Sequence, residues 1–429
     1  MKILKYKDLS EQRIKKLALR GPADFQSVIP VVKQIISDVK ADGDKAVFVY
    51  EKKFGSNLTS LKVASSEIDR AFLKADKKLI KAFKQSIRNI TEVCRNQIRI
   101  KEKAVLTENG INVWREFRPI EKVGLYVPGG NATYPSSLLM TAIPAQIAGC
   151  KEIIVVTPPD PEGTVSVPIL IAAKLLGIRE IYKTGGAQAI AALAYGTKTI
   201  PKVSKIFGPG NTYVTAAKIL VFGTVNIDMP AGPSEVFIIA DDSANPRFIA
   251  ADLLADSEHG DDSAGVLVTT SEKIAIETVS EIYKQLLNLQ TANRAKKSLE
   301  KNGFILVVDN IDQAVKFAND YAPEHLEIMT KSTETLVKQI VNAGSVFLGN
   351  YTCKGSGDYA TGANHVLPTS GTAKMFSPLS VDSFGKMMEI QEVSKAGLKS
   401  VRQTIETLAG VEGLPAHGFS AAVRFEGEL

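Results

Sequence analysis

From residue 123 onward the chain alternates short apolar runs with segments whose apolar residues recur at helical spacing. Runs such as 123–127 and 152–157 are typical of buried strands, and the segments between them are typical of helices. A strand, a helix and a second strand in this order build a parallel sheet with helices packed on its faces. This alternation predicts an α/β fold.

Two such series follow one another, at residues 123–229 and 236–348, and before them Asn109 and Gly110 form a hairpin signal between two apolar runs. We therefore expect two incomplete Rossmann-like domains with a cleft between them, where ligands of such folds commonly bind. The predicted parts are an N-terminal arm at 1–23, a discontinuous main α/β domain at 24–125 and 234–378, an inserted α/β domain at 126–233, and a helical C-terminal tail at 379–429.

Composition narrows the classes of function. The 429 residues carry a net charge of +6 without any run of five Lys or Arg, which gives little support to a nucleic-acid or membrane-surface role. The first residues are charged and lack the apolar stretch of a signal peptide, and the most apolar helix candidate, 167–178, is too short to span a bilayer. Three distant cysteines without a CxxC pair argue against a disulfide scaffold and favour a reducing cytoplasm.

All four histidines lie after residue 258, and each stands in a motif that also carries a carboxylate. Asp256 and His259 are three residues apart near the end of a predicted helix, so they project from the same face. A carboxylate oxygen and an imidazole nitrogen together suit a borderline cation such as zinc. A solvated helix end, where a histidine favours the negative end of the helix dipole, explains the same two residues.

Two further motifs place an imidazole near a carboxylate. Glu324 and His325 follow a proline and suit proton transfer near neutral pH, although a polar loop before a strand explains the pair equally well. Neighbours in sequence usually point apart, so we expect separate tasks for these two side chains. Asp358 and His365 lie in a glycine-punctuated loop whose backbone can approach a ligand closely, with a plain surface loop as the alternative.

The last motif, near the C-terminus, holds Glu412 and His417. Taken alone, these two residues fit an exposed tail equally well. A protein that kept histidine only for bulk would scatter it, whereas here every histidine lies in a carboxylate-bearing motif. Donors from the core together with one from the tail would complete a tetrahedral or slightly expanded zinc shell.

A nucleotide site is less explicit in the sequence. The turn that begins at Gly208 follows a predicted strand and opens a helix, which suits a phosphate at a helix N-terminus. Its sixth position is Tyr213, so it is not the dinucleotide-binding fingerprint. Tyr126, Gln188 and Asn211 all lie near strand ends of the same predicted sheet. These features leave NAD, another nucleotide or no nucleotide open.

The motifs resemble those of the histidinol dehydrogenase family over nearly the whole chain. In order, the matching segments include VGLYVPGG, TGGAQAIAALAYGT, KIFGPGN, DMPAGPSEV, PEHLE, GDYATGANHVLPT, SPLSVDSF and EGLPAH. The resemblance implies a zinc- and NAD-dependent enzyme that oxidises L-histidinol twice, through L-histidinaldehyde to L-histidine. It also implies a homodimer in which the C-terminal tail reaches into the neighbour's site.

The resemblance assigns roles residue by residue. His325 is the implied general base, and Glu324 the implied activator of water for the second oxidation. The implied zinc ligands are Asp256, His259, Asp358 and His417. The implied substrate-binding residues are these four together with Ser234, His325, His365 and Glu412. The implied NAD contacts are Tyr126, Gln188 and Asn211, which makes 126–233 the NAD-side domain.

Two departures from the pattern of the family that the chain resembles concern the predicted site, one at Asp256 and one at the dipeptide Cys353-Lys354. The family usually has Gln at the position of Asp256, so this chain adds a second carboxylate beside Asp358, and we expect tighter zinc binding and a less electrophilic metal. The family commonly has Pro-Glu where Cys353 and Lys354 stand. That change exchanges a negative charge for a positive one just before the ligand loop, where it bears on substrate preference.

Three alternative functions are weighed against histidinol oxidation. The first is a family paralogue that oxidises another small amino or sulfonated alcohol; His365 and Glu412, which suit a cationic imidazole substrate, favour histidinol. The second is a zinc hydrolase with Glu324 as base, which leaves the strand-end positions that match an NAD site unexplained. The third is a zinc-binding protein without activity, suggested by Asp256 and Lys354 alone.

Overall fold

The computed structural model describes residues 1–19, 25–98, 101–129 and 133–426. Its strands, in chain order, are β1 (Lys2–Lys5), β2 (Val105–Glu108), β3 (Ile111–Pro119), β4 (Lys122–Tyr126), β5 (Glu152–Thr157), β6 (Ile181–Lys183), β7 (Lys205–Phe207), β8 (Asn226–Ile227), β9 (Glu235–Ala240), β10 (Ala264–Thr269), β11 (Phe304–Val307), β12 (His325–Met329), β13 (Ser345–Leu348) and β14 (Gly385–Val393).

The helices are numbered in the same way. They are α1 (Glu11–Ala18), α2 (Ile29–Asp42), α3 (Asp44–Lys53), α4 (Ser65–Leu73), α5 (Lys77–Arg95), α6 (Pro135–Ala148), α7 (Val167–Leu176), α8 (Gly186–Tyr195), α9 (Thr212–Val221), α10 (Pro246–Ser257), α11 (Glu272–Leu286), α12 (Ala292–Asn302), α13 (Ile311–Tyr321), α14 (Thr333–Val337), α15 (Lys354–Tyr359), α16 (Lys395–Val411) and α17 (Pro415–Ala422).

The chain divides into two compact units, Met1–Asn96 with Ile120–Phe384, and Gln97–Pro119 with Gly385–Leu429. The first unit holds both parallel sheets. One has six strands in the order β1-β11-β10-β9-β12-β13, and the other has five in the order β6-β5-β4-β7-β8. The α/β fold with two parallel sheets is therefore confirmed.

The six-stranded sheet has apolar layers on both faces, because every residue of β9 and β10 is buried. Val236 and Ile238 pack with α10, α11 and α12 on one face. Phe237 and Ile239, which alternate with them, pack with α13 and α14 on the other. The predicted N-terminal arm contains β1, which extends this sheet by pairing with β11, while residues 20–24 lie outside the described residues.

The five-stranded sheet is covered on one face by α2, α3, α8 and α9, whose side chains share one apolar core with β5 and β7. Ile35 and Val47 belong to this core, although the sequence places their segment in the main domain with residues 234–378. The predicted domain boundaries stay predictions. What matters for function is that both parallel sheets belong to the same compact unit.

The second unit contains an antiparallel sheet in the order β14-β3-β2, followed by α16 and α17. The predicted hairpin around Gly110 is confirmed, with Gly110 at a φ of +88°. The predicted helical tail contains α16 and α17, but it also contains β14, which the sequence analysis took for helix. Among the described residues, no helix is both long enough and apolar enough to cross a membrane.

Candidate active site

A cavity of about 640 Å³ lies between the two parallel sheets of the first unit. Gly129 and Gly210, which follow the carboxyl ends of β4 and β7, line one side. Ser234 and His325, at the amino ends of β9 and β12, line the other side. The cavity thus lies beyond the carboxyl ends of the strands in the five-stranded sheet, but at the amino ends of the strands in the six-stranded sheet.

Asp256 reaches this region from the last turn of α10, whose apolar residues anchor it in the core of the six-stranded sheet. Its side chain is fully buried, and neither of its oxygens has a hydrogen-bond partner among the residues that the structure describes. Burial raises the pKa of Asp256, although Lys354 and His259 act in the opposite direction. The half-buried His259 places Nδ1 3.5 Å from Oδ1 of Asp256, so the two residues do share one face.

His325 is positioned by a tight turn before β12. Ala322 ends α13 with a φ of +51°, a conformation that costs a residue with a Cβ about 1–2 kcal/mol. Nδ1 of His325 lies 3.0 Å from the backbone oxygen of Glu235, and because a carbonyl can only accept, Nδ1 carries the proton. Nε2 therefore keeps its lone pair; it is buried and lacks a hydrogen-bond partner among the described residues.

The environment of His325 also decides its charge. Burial lowers the pKa of His325 well below its usual range, and the neighbouring cation of Lys354 lowers it further. The imidazole is accordingly neutral at physiological pH. Its Nε2 lies 3.9 Å from Oδ1 of Asp358. A neutral imidazole with a free, buried lone pair is the form that a general base requires.

Glu324 is held beside His325 by the same strand. Oε2 of Glu324 accepts a hydrogen bond of 2.8 Å from the backbone N–H of Glu235, and it lies 3.6 Å from Nδ1 of His325. The two neighbours therefore come close, contrary to the general expectation for adjacent residues. Each hydrogen bonds to a different main-chain group of Glu235, Glu324 to the N–H and His325 to the oxygen, and their separate tasks stay a prediction.

Lys354 is the residue of this cluster that sequence reasoning placed outside it. Lys354 and Asp358 lie one turn apart in the short helix α15, so the loop predicted around Asp358 begins as a helix. Nζ of Lys354 lies 2.7 Å from Oδ2 of Asp358 and 3.3 Å from Oδ1 of Asp256. The spacing of four residues was the available signal, but three residues of Gly and Ser between them favour a loop.

The charge of Lys354 follows from its surroundings. Its side chain is only 3% exposed, and burial alone lowers the pKa of the ammonium. The carboxylates of Asp256, Asp358 and Glu324 outweigh this effect and raise the pKa above its usual value. Lys354 is therefore a buried cation between two carboxylates.

The remaining predicted substrate residues lie in different units. Ser234 and His365 line the cavity, and Nε2 of His365 is buried without a hydrogen-bond partner in the described part of the chain. Burial lowers the pKa of His365. Glu412 and His417 are exposed residues of the second unit, and their part in the site stays a prediction.

Of the predicted NAD contacts, only Asn211 is among the residues that line the cavity. Its side chain caps α9 by accepting hydrogen bonds of 3.1 Å from the N–H groups of Tyr213 and Val214. Tyr126 and Gln188 are buried: the hydroxyl of Tyr126 accepts from the N–H of Gly186, and Nε2 of Gln188 donates to Glu51. The three roles stay predictions.

The turn before α9 requires glycine. Gly208 has a φ of +117°, and a Cβ there would lie 2.1 Å from the backbone oxygen of Tyr126. A Cβ at Gly210 would lie 2.4 Å from the side chain of Val214. The glycines thus let the turn pack tightly against Tyr126 and Val214, and Pro209, Gly210 and Asn211 of the turn line the cavity at the N-terminus of α9, a place that suits a ligand phosphate.

The side chains around the cluster suit a metal ion in their chemistry. Asp256, Glu324 and His325 each offer one donor atom, and these three atoms lie within 4.8 Å of one another. The oxygens of Asp256 and Nε2 of His325 are buried donors without hydrogen-bond partners among the described residues. This group shares only Asp256 with the predicted zinc ligands, so the ligand assignment stays a prediction.

Comparison with known proteins shows the family to which this chain belongs. The model of the histidinol dehydrogenase family matches residues 19–425. A histidinol dehydrogenase of Bacteroides fragilis is 49% identical over 428 residues, which cover 99% of both chains. One from Methanocaldococcus jannaschii is 46% identical over 418 residues, or 97% of both chains. The chain belongs to the histidinol dehydrogenase family.

A solved structure extends this membership to three dimensions. The crystal structure of histidinol dehydrogenase from Elizabethkingia anophelis matches with a TM-score of 0.94 and 44% identity, over 99% of this chain and 98% of that chain. The fold described above is thus the histidinol dehydrogenase fold. As a member of this family the chain is an oxidoreductase.

Next to this cluster the chain buries a second pair of acidic side chains, Asp252 and Glu327. Asp252 accepts a hydrogen bond of 3.1 Å from the backbone N–H of Lys354, which anchors α15. Burial raises the pKa of Glu327 well above its usual range, and Asp252 beside it raises it further. Burial also raises the pKa of Asp252, but the backbone N–H of Lys354 opposes that rise, so Glu327 is the protonated member of the pair.

We expect this proton to make stability depend on pH. The folded pKa of Glu327 is raised, so its contribution is complete below the unfolded pKa of about 4.3 and is lost as pH rises toward the folded pKa. The loss can reach about 1.4 kcal/mol per pH unit. Glu327→Gln should flatten the decline in the free energy of unfolding measured in urea between pH 5 and 8. The exposed Glu334→Gln is the control, and parallel profiles for Glu327→Gln and the unaltered protein would contradict the assignment.

Proposed function

We propose that this chain catalyses the zinc- and NAD-dependent oxidation of L-histidinol through L-histidinaldehyde to L-histidine. Family membership supports the substrate, since the relatives that the chain matches over nearly their whole length are named for it. The observation that carries the proposal is the lone pair of His325, buried at Nε2 beside acidic side chains on the wall of a cavity. Such a group accepts a proton from an alcohol without competition from water.

In this proposal His325 removes the proton from the hydroxyl oxygen of histidinol, and NAD, when bound, would accept the hydride from the carbinol carbon. The hydrogen bond from Nδ1 to Glu235 keeps the ring oriented and stabilises the imidazolium that forms. Glu324 activates the water that adds to the aldehyde before the second hydride transfer. Its carboxylate is fixed for this task by the N–H of Glu235.

The metal would be held by Asp256, His259, Asp358 and His417, with His417 provided by the tail of the partner in a homodimer. When bound, zinc would bind the imidazole and amine of the substrate and so orient its carbinol carbon. Ser234, His365 and Glu412 would complete the substrate site. The buried donor atoms of Asp256 and the proximity of His259 support this assignment.

The NAD site of the proposal is the turn at 208–211 and the strand ends near it. The N-terminus of α9 carries the positive end of the helix dipole, which suits a pyrophosphate. Tyr126, Gln188 and Asn211 are the side chains proposed to position the cofactor. The position of Gly210 and Asn211 on the cavity wall supports the placement of phosphate at this turn.

The test is to supply the purified protein with L-histidinol and NAD and to count NADH per substrate, with and without a chelator. We expect two NADH per histidinol and loss of activity with the chelator. One NADH per substrate would indicate a paralogue with a different second step, and NADH formation that the chelator leaves unchanged would refute the zinc requirement. No NADH at all would refute the proposed function.

A variant of Glu324 separates its proposed role in the second oxidation from the first oxidation. Glu324→Gln should slow the second oxidation far more than the first, because only the second requires an activated water. We expect the yield of NADH to fall from two toward one per histidinol, with histidinaldehyde accumulating. Equal slowing of both oxidations would show that Glu324 has another role.

A further inference from the structure

Three buried charges meet at the end of α10 and the start of α15: Lys354, Asp256 and Asp358. The ammonium of Lys354 lies 2.7 Å from Asp358 and 3.3 Å from Asp256, and the exposed fractions of the three side chains are 3%, 12% and 0% in the order Lys354, Asp358, Asp256. Neither carboxylate oxygen of Asp256 has any hydrogen-bond partner in the described ranges. The lysine is therefore the principal positive charge facing this buried carboxylate.

The ammonium of Lys354 is held in place by two contacts of α15. Asp252 holds the backbone N–H of Lys354, which sets the first residue of α15. The helical turn that follows brings Asp358 under the same side chain. An ammonium is buried in a protein only where charges of opposite sign compensate its lost hydration, and here two carboxylates do so.

These two carboxylates are also the oxygens that the proposed function assigns to the metal. A zinc ion binds carboxylate oxygen at about 2.0–2.2 Å, so an ion shared by Asp256 and Asp358 would stand close to the ammonium of Lys354. The zinc ion and the ammonium would repel each other strongly in this space, from which water is largely excluded. The carboxylate that Asp256 adds to the site is thus balanced by Lys354 as long as the ammonium stays there.

We propose that Lys354 competes with the divalent metal for Asp256 and Asp358, so that the metal-free site is held by the lysine and metal binds only when the lysine side chain has moved away. The inference rests on the metal site of the proposed function and concerns the affinity of that site. It makes Lys354 a positioning residue for the metal-free state. The same side chain stabilises the fold without metal and weakens the binding of metal.

The two effects have opposite signs in one variant. Lys354→Met in the full-length chain, freed of metal, should bind zinc on the order of 10- to 100-fold more tightly, measured by titration with zinc alone against a chromophoric chelator. The same metal-free variant should melt at a lower temperature, because two buried carboxylates lose their counter-charge, and zinc should raise its melting temperature more than that of the unaltered protein. Lys331→Met, which removes an exposed lysine paired with Asp242, should change neither quantity.

Lys354→Arg keeps the charge and should not gain zinc affinity. If Lys354→Met binds zinc no more tightly than the unaltered chain, or if neither protein binds zinc, the competition is refuted. Should the metal-free variant fail to fold, a crystal structure of the unaltered protein loaded with zinc decides. The ammonium must then have left Asp358, and zinc bound to Asp256 and Asp358 with the ammonium still in contact with both would overturn the proposal. None of these readouts uses dehydrogenase activity. Equal zinc affinity in Lys354→Met and the unaltered chain refutes the competition alone, whereas the absence of zinc binding in both also refutes the metal site of the proposed function.

Discussion

Replacement of His325 by Gln is expected to lower kcat for histidinol by about 10²- to 10⁴-fold, the range for loss of a general base. Gln can still donate a hydrogen bond to the backbone oxygen of Glu235, which in the unaltered protein accepts one from Nδ1 of His325. It offers no basic nitrogen at the place of Nε2. The residual rate should rise with pH, because hydroxide then takes over the proton that the imidazole accepts.

The control for this prediction is the fold and the cofactor site of the same variant. We expect the urea unfolding curve and the affinity for NAD to stay close to those of the unaltered protein. A kcat within tenfold of the unaltered enzyme would contradict the role of His325 as base. A large loss of stability would instead make His325 a structural residue of β12.

Replacement of Lys218 by Met is expected to cost about 3–5 kcal/mol of unfolding free energy, the usual penalty for breaking a buried ion pair. Lys218 pairs with Asp228, and both side chains are 1% exposed. The ammonium also donates hydrogen bonds of 3.0 and 3.1 Å to the backbone oxygens of Gly208 and Met229. The carboxylate of Asp228 accepts a hydrogen bond from the N–H of Gly208. The pair therefore binds both the N–H and the carbonyl oxygen of Gly208 and so holds the turn before α9 in place.

A urea titration measures this cost, with the exposed Lys331→Met as the matched control. We expect the control to stay within about 0.5 kcal/mol of the unaltered protein. Lys218→Met should also weaken NAD binding in the fraction that remains folded, since the proposed phosphate turn loses its clamp. Stability equal to that of Lys331→Met would show that the buried pair is not needed to hold the turn.

The fold could be predicted where its elements carry a strong periodic pattern. The continuous apolar runs of β9 and β10 are typical of strands covered on both faces, and the structure buries every residue of both. β1 and β14 were missed for the opposite reason, because each has a largely exposed face and many polar residues. Their pairing partners, β11 and β3, are distant in sequence, and one chain alone does not reveal such pairings.

The site could be predicted to the level of its motifs. The histidines beside carboxylates led to Asp256, His259, His325 and Asp358, and the structure brings these four side chains together in the first unit. Sequence could not show that Lys354 points into the group, because the direction of its side chain depends on α15 and on the hydrogen bond that its backbone N–H donates to Asp252. Packing of three distant segments therefore decides the electrostatics of the site.

A crystal structure of the protein with zinc and L-histidinol tests the central claim most directly. We expect the hydroxyl of the substrate to lie within hydrogen-bonding distance of Nε2 of His325. We expect its imidazole and amine to bind a metal that Asp256 and Asp358 hold. Histidinol bound in another cavity, or bound here with its hydroxyl turned away from His325, would contradict it.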